Sequence, residues 1–289
     1  MIFLGAGCSW FRVKSIKQVS KSALLLPAKT ATQAELIERL NGVAQSTRTL
    51  SLTVLFELTA ASVRPDQIES YRETKGFILI KSPHFIRIIG QAFNINVFDM
   101  VSDGKETSIF VPSKNKFYHL FNDQEIEKTK IPVGNLRPQD MLDALALEAI
   151  SRDSPDQTVV LEEDQEGRRR FYILNLLKKD RAGGVSLERK VWFDRFDLNI
   201  VRQKFFENQG QLGSDITYFG YKEVGGIPYP TEVVFRRPIE DYSLRIKVNK
   251  VKINDVLTDD KFVLNRPKDA ELVELSEPSK TAVPSHPAS

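Results

Sequence analysis

From residue 49 onward the hydrophobic period of this chain is two, and that alternation constrains the fold more than any other feature. Leu50, Leu52, Val54, Phe56 and Leu58 alternate with Thr49, Ser51, Thr53 and Glu57, the signature of a strand with one buried and one wet face. Further strands are predicted over 76–81, 85–89, 97–102 and 106–111. After a helical interruption they resume over 158–162, 171–177, 188–193, 200–206, 216–224, 232–236 and 242–253. Asp103-Gly104, Glu166-Gly167 and Gly225-Gly226 read as turns between neighbours, and Pro83 and Pro112 end their strands or confine them to an edge. In the last strand Leu244, Ile246 and Val248 hold even positions while Val251 and Ile253 hold odd ones. One extra residue near Asn249-Lys250 keeps both sets on one face, which is what a β-bulge does. Bulges bend strands, so the expected class is mainly β (α+β): a curved antiparallel meander forming an incomplete barrel.

Two segments depart from this period. Thr32 and Glu35 have capping-box spacing ahead of a stripe formed by Leu36, Ile37, Leu40, Val43 and Ala44, which predicts a helix over 32–44. Behind Pro138, the residues Met141, Leu142, Leu145, Ala146, Ala149 and Ile150 repeat at helical spacing, predicting a second over 138–150. The organisation reads as a partial signal peptide over 1–8, a tether over 9–31, one folded domain over 32–275, and a Pro/Ser-rich disordered tail over 276–289.

A lone cysteine, Cys8, follows Gly5-Ala6-Gly7 and apolar residues further upstream. Small residues ending at a cysteine resemble the cleavage site of a bacterial lipoprotein, whose thiol receives a diacylglycerol. A basic n-region is missing and the apolar stretch is shorter than the roughly 7–15 residues such a peptide needs, so the natural start is expected upstream of Met1. The alternative is a cytosolic N-terminus carrying a free thiol. Lipidation of Cys8 places the rest of the chain on the periplasmic side of the cell envelope, anchored to a membrane.

Composition removes several function classes. A net charge of +3, from 41 basic and 38 acidic residues among 289, gives no footprint for nucleic acid. No apolar run reaches the roughly 18 residues of a membrane span, and one cysteine excludes an internal disulfide. His84, His119 and His286 are scattered, without zinc-ligand spacing, and no nucleophile elbow, Walker loop or dinucleotide fingerprint is present. Asp194 and Asp197 have the look of a paired-carboxylate site, but a turn with Arg195 as counter-charge is the simpler account. No enzyme activity, cofactor or metal is expected.

The order of motifs resembles the lipoprotein-localisation superfamily, the carrier LolA, the outer-membrane acceptor LolB and their relatives. The resemblance covers most of 32–267. It rests on a helix ending in Leu40-Asn41-Gly42-Val43, Lys81-Ser82-Pro83-His84-Phe85-Ile86-Arg87, Val101-Ser102-Asp103-Gly104 and Pro112-Ser113-Lys114-Asn115-Lys116-Phe117-Tyr118. Trp192-Phe193-Asp194, Ile227-Pro228-Tyr229-Pro230 and Phe262-Val263-Leu264-Asn265-Arg266-Pro267 continue it. It implies helices closing the open side of a half-barrel over an apolar cavity that takes acyl chains of lipoproteins or lipids, and a role in sorting them to the outer membrane. Leu36, Leu40, Leu142 and Leu145 are then the lid residues facing the ligand, with Leu52, Val54, Phe56, Phe85 and Trp192 lining the wall. Phe93 and Ile95 fall where acceptor-like members carry a protruding apolar loop, so they become membrane-contact candidates; the plainer account makes them part of a hairpin. A second reading keeps the fold and lets the same groove hold an envelope protein, as a sensor or interaction module.

Overall fold

The computed structural model describes residues 28–61, 68–70, 73–122, 137–151, 154–179, 183–207 and 210–275. Cys8 with the expected signal peptide, most of the expected tether and the expected C-terminal tail lie outside these residues. Helix α1 (Gln33–Ser46) carries the expected capping box: Glu35 N donates to the Thr32 hydroxyl and Thr32 N to the Glu35 carboxylate. It delivers Leu36, Ile37 and Leu40 to the core.

One sheet of fifteen strands follows. Its first half holds β1 (Thr49–Ala61), the short β2 (Ile68–Ser70), β3 (Thr74–Lys81), β4 (Phe85–Ala92), β5 (Ile95–Ser102), β6 (Glu106–Val111) and β7 (Lys116–Phe121). After helix α2 (Pro138–Leu145) come β8 (Gln157–Glu166), β9 (Arg169–Lys179), β10 (Val185–Asp194), β11 (Ile200–Phe206), β12 (Leu212–Val224), β13 (Ile227–Arg237), β14 (Tyr242–Ile253) and β15 (Glu271–Glu274). The order is β15-β7-β6-β5-β4-β3-β1-β14-β13-β12-β11-β10-β9-β8, with β2 beside β1. Pairing is antiparallel except where β15 runs parallel to β7. Two meanders are thus joined through β1 and β14. Among the described residues no ladder joins β8 to β15, so the curved sheet stays open, as the alternation and the bulge predict.

The bulge falls where the sequence places it. Thr53 pairs with Lys250 and Val54 with Val248, leaving Asn249 as the extra residue. Two glycines serve curvature differently: a Cβ on Gly76 would stand 2.0 Å from the Phe56 ring, and one on Gly90 2.2 Å from Phe98. Each glycine lets an aromatic ring lie flat on a neighbouring strand.

Three strands escape the sequence reading. In β7 both faces are apolar, because Phe117, Tyr118 and Leu120 are all buried, so no alternation shows; β2 and β15 are too short to carry a period. Pro228 and Pro230 sit inside β13, at the end paired with β12 alone, since pairing with β14 starts at Glu232. Their missing N–H groups therefore break no ladder on that side.

The second helix is shorter than predicted. It ends at Leu145, and 146–150 run non-helically because tertiary bonds replace the helical ones. Asn41 on α1 donates its amide to Ile150 O at 2.9 Å and accepts Ile150 N at 2.7 Å, while Glu148 O accepts from Arg189. The end of the expected tether also docks: Lys29 N donates to Arg195 O at 2.6 Å and Ala31 N to the Tyr172 hydroxyl at 3.3 Å. On the convex face the segment after β14 lies back across the first meander, where Arg87 donates to Lys261 O at 2.9 Å and the Phe262 ring sits 5.6 Å from Phe85.

Candidate functional site

Both helices pack against β13 on the concave face and close it. The apolar residues of α1, α2 and the inward phase of β1, β3–β7 and β9–β14 form one continuous core. Leu36, Leu40, Leu52, Val54, Phe56, Leu142 and Leu145, all predicted to face the interior, belong to it. Leu40 and Leu145 from above meet Phe193, Ile200, Tyr218 and Tyr229 from the sheet around a crevice of about 40 Å³. A water molecule occupies roughly 30 Å³ of liquid, so this space admits one or two waters and no acyl chain. The interior expected to be vacant is filled by its own leucines and aromatic rings.

The rim of the crevice is polar. Arg39 of α1 donates from Nε to Leu198 O at 2.7 Å and from Nη2 to Asn199 Oδ1 at 3.4 Å, tying the helix to the turn after β10. Outside it, an open groove of about 560 Å³ runs between Arg39 and Val43 on one side and Lys222 and Pro228 on the other. The Tyr229 hydroxyl donates to Leu145 O at 3.2 Å from below, and burial pushes that phenol above its ordinary range.

A buried ionic latch holds the start of α2. Arg237 lies 3.0 Å from Asp140, 3.0 Å from Glu207 and 2.7 Å from Glu240, and Arg137 reaches Glu240 at 3.2 Å. The Asp140 contact lacks hydrogen-bond alignment. Burial pushes the Asp140 carboxyl up to about 7 against the opposing pull of Arg237, and pushes Asp143, one turn on, up to about 6. The latch and the hydrogen-bonded pair of Arg189 and Gln203 are features of this region that sequence reasoning missed. Their signal was present: Arg189 shares the inward phase of Val191 and Phe193, and Arg237 that of Val233 and Phe235.

Two predicted wall residues face the other way. Trp192 packs with Phe171, Ile173 and Val201 in a separate cluster, among Lys190, Arg202 and Lys204, whose charges lie 5.5–5.7 Å from its ring. It occupies the opposite phase from Val191 and Phe193, which are inward. Phe85 likewise alternates with the inward Ile86 and Ile88 and is covered by Phe262 on the convex side. Phe93 and Ile95 form the tip of the β4–β5 hairpin, 94% and 68% exposed. Both loop residues, Phe93 and Asn94, have positive φ, the turn geometry that favours Asn and Gly and strains an aromatic. Asp194 and Asp197 serve their turn, Asp194 accepting from Phe196 N and Asp197 from Asn199 N and Nδ2, but the counter-charge of Asp194 is Arg169 and not the expected Arg195, which pairs with Glu163 instead. Among the described residues no helix is long and apolar enough to cross a membrane.

The same architecture recurs in solved structures. A LolA superfamily protein from Nitrosomonas europaea superposes with a TM-score of 0.51 at 15% identity, over 81% of this chain and 99% of the other. A DUF1329 family protein from Desulfovibrio piger gives 0.52 at 14%, over 79% and 94%. A domain from Vibrio parahaemolyticus, described as a candidate outer membrane lipoprotein-sorting protein, gives 0.52 at 10%, over 79% and 94%. The fold is therefore LolA-like: an open, curved sheet with two helices on its concave side. Within that class, a family model described as "Uncharacterized protein" matches residues 113–266, just over half of the chain, and the chain belongs to that family. No curated protein matches the sequence.

Proposed function

We propose that this protein is a non-enzymatic acyl-chain binder of the cell envelope that sorts lipoproteins or lipids to the outer membrane. It acts on the periplasmic side, held to a membrane by a lipid on Cys8. The observation that carries the reading is the LolA-like half-barrel whose apolar concave face is covered, among the described residues, by two helices. Because the closed interior is full, a ligand must displace the cover rather than fill a void. Lifting α1 exposes Leu36, Ile37 and Leu40, at roughly 5–9 kcal/mol for three such side chains. An entering chain returns about 0.8 kcal/mol per methylene, so roughly ten methylenes restore the balance. A long acyl chain is then held reversibly, as a carrier or acceptor requires, and short amphiphiles are rejected. The exposed tip formed by Phe93 and Ile95 supports contact with a bilayer during transfer.

The test is native mass spectrometry of the protein from envelope membranes, with titration of the delipidated protein by a fluorescent long-chain acyl probe. Co-purifying lipid and saturable binding that falls off below about ten methylenes are expected. No bound lipid and no saturable binding would refute the reading.

A further inference from the structure

Two arginines are buried to the same degree in this fold, each 3% exposed, and they are treated differently. Arg237 meets three carboxylates within 4 Å. Arg189, inward on β10, meets none among the described residues. Its Nε donates to Gln203 Oε1 at 2.9 Å, Nη2 donates to the same oxygen, and Nη1 donates to Glu148 O at 3.1 Å. The guanidinium also stacks on Phe205, 5.1 Å from the ring centre. Every hydrogen-bond partner is neutral, and the carboxylates of Glu148, Asp143 and Glu188 act on the guanidinium only through space, beyond ion-pair contact. A cation withdrawn from water without a counter-charge in contact is costly, and a methionine would fill the volume without that cost.

The surroundings say what a counter-charge would come with. Gln203 donates in turn to the Tyr218 hydroxyl, so a polar chain crosses β10, β11 and β12 on the concave face. Tyr218 also lines the apolar crevice beneath Leu40 and Leu145. The stretch after α2 covers Arg189 through the Glu148 carbonyl, a bond broken when the helices lift.

Resting on the acyl-chain reading above, we infer that Arg189 is the receptor for the oxyanion of an anionic amphiphile, whose hydrocarbon chain takes the place of Leu40 and Leu145 over Tyr218 when the helices are displaced. The guanidinium fork offers paired, charge-assisted donors matched to a carboxylate or a phosphate. Gln203 holds the fork in place meanwhile. Long-chain esters, which bring no charge, then bind less tightly than acids of the same length.

The experiment titrates the delipidated full chain with hexadecanoate, its methyl ester and hexadecyl phosphate. At least one oxyanion is expected to bind about tenfold or more tightly than the ester, and R189M is expected to abolish that preference while leaving ester affinity within about twofold. A preference for the carboxylate points to a fatty acid, and one for the phosphate to a lipid headgroup. Should R189M not fold, R189K, which keeps the charge and loses the fork, must reduce the preference. Equal binding of all three ligands, or a preference that survives in the variant, overturns the inference and leaves acyl-chain binding standing. Failure of all three to bind removes both.

Discussion

Replacing Asp140 by Asn tests whether the latch on α2 is held by charge or resisted by burial. Asp140 lies 3.0 Å from Arg237, so an inspection of contacts alone predicts that D140N weakens the protein. Yet burial carries its carboxyl from the ordinary 3.8 to about 7. Between those values the folded state keeps a proton that the unfolded state has released, so stability falls as pH rises through the window. A change of that size corresponds to roughly 4 kcal/mol of stability present at about pH 4 and lost above about pH 7. Asparagine mimics the protonated acid, and Arg237 keeps Glu207 and Glu240. Urea unfolding at pH 5, 6, 7 and 8 should therefore show D140N gaining on the wild type as pH rises and becoming the more stable protein at pH 8. Comparing the two proteins cancels the titration of groups remote from Asp140, while that of Asp143, pushed up to about 6 and coupled to Asp140, stays in the difference. If D140N is instead about 2 kcal/mol or more less stable at pH 8, with its pH dependence unchanged, attraction to Arg237 outweighs desolvation and the reasoning fails.

Two further outcomes follow from packing. Leu40 is fully buried beside the crevice, so L40A should cost about 2–5 kcal/mol in chemical denaturation and, by enlarging the crevice, strengthen rather than weaken binding per folded molecule of a long acyl probe. G76A places a methyl 2.0 Å from the Phe56 ring and should cost about 1–3 kcal/mol; the double variant G76A/F56L should recover part of that loss, and no recovery would show that the ring is not the obstacle.

The class of fold was legible because alternation and a single phase slip are local facts. Leu244 through Ile253 revealed the bulge at Asn249 without any knowledge of β1, and Thr32 with Glu35 marked the start of α1. Long-range bonds were not legible. The end of α2 is set by Asn41 and Arg189, distant in sequence, and helical spacing through Ala149 and Ile150 cannot register a competing partner. The inward phase gathered Leu36, Leu40, Leu52, Val54, Phe56, Leu142 and Leu145, which the fold brings into one core. Phe85 and Trp192 stand in the opposite phase from Ile86 and Val191, and that phase sends both outward. The fullness of the interior depends on how side chains from several strands interdigitate, which no single-strand pattern encodes.

The paired bonds between Asn41 and Ile150 have a mechanical consequence. An amide that both gives and takes at one residue resists sliding as well as separation, so α1 and the strap following α2 are coupled like two leaves on a common pin. In the proposed opening the cover then moves as one body instead of two, and a ligand that pries at either edge has to move the whole of it.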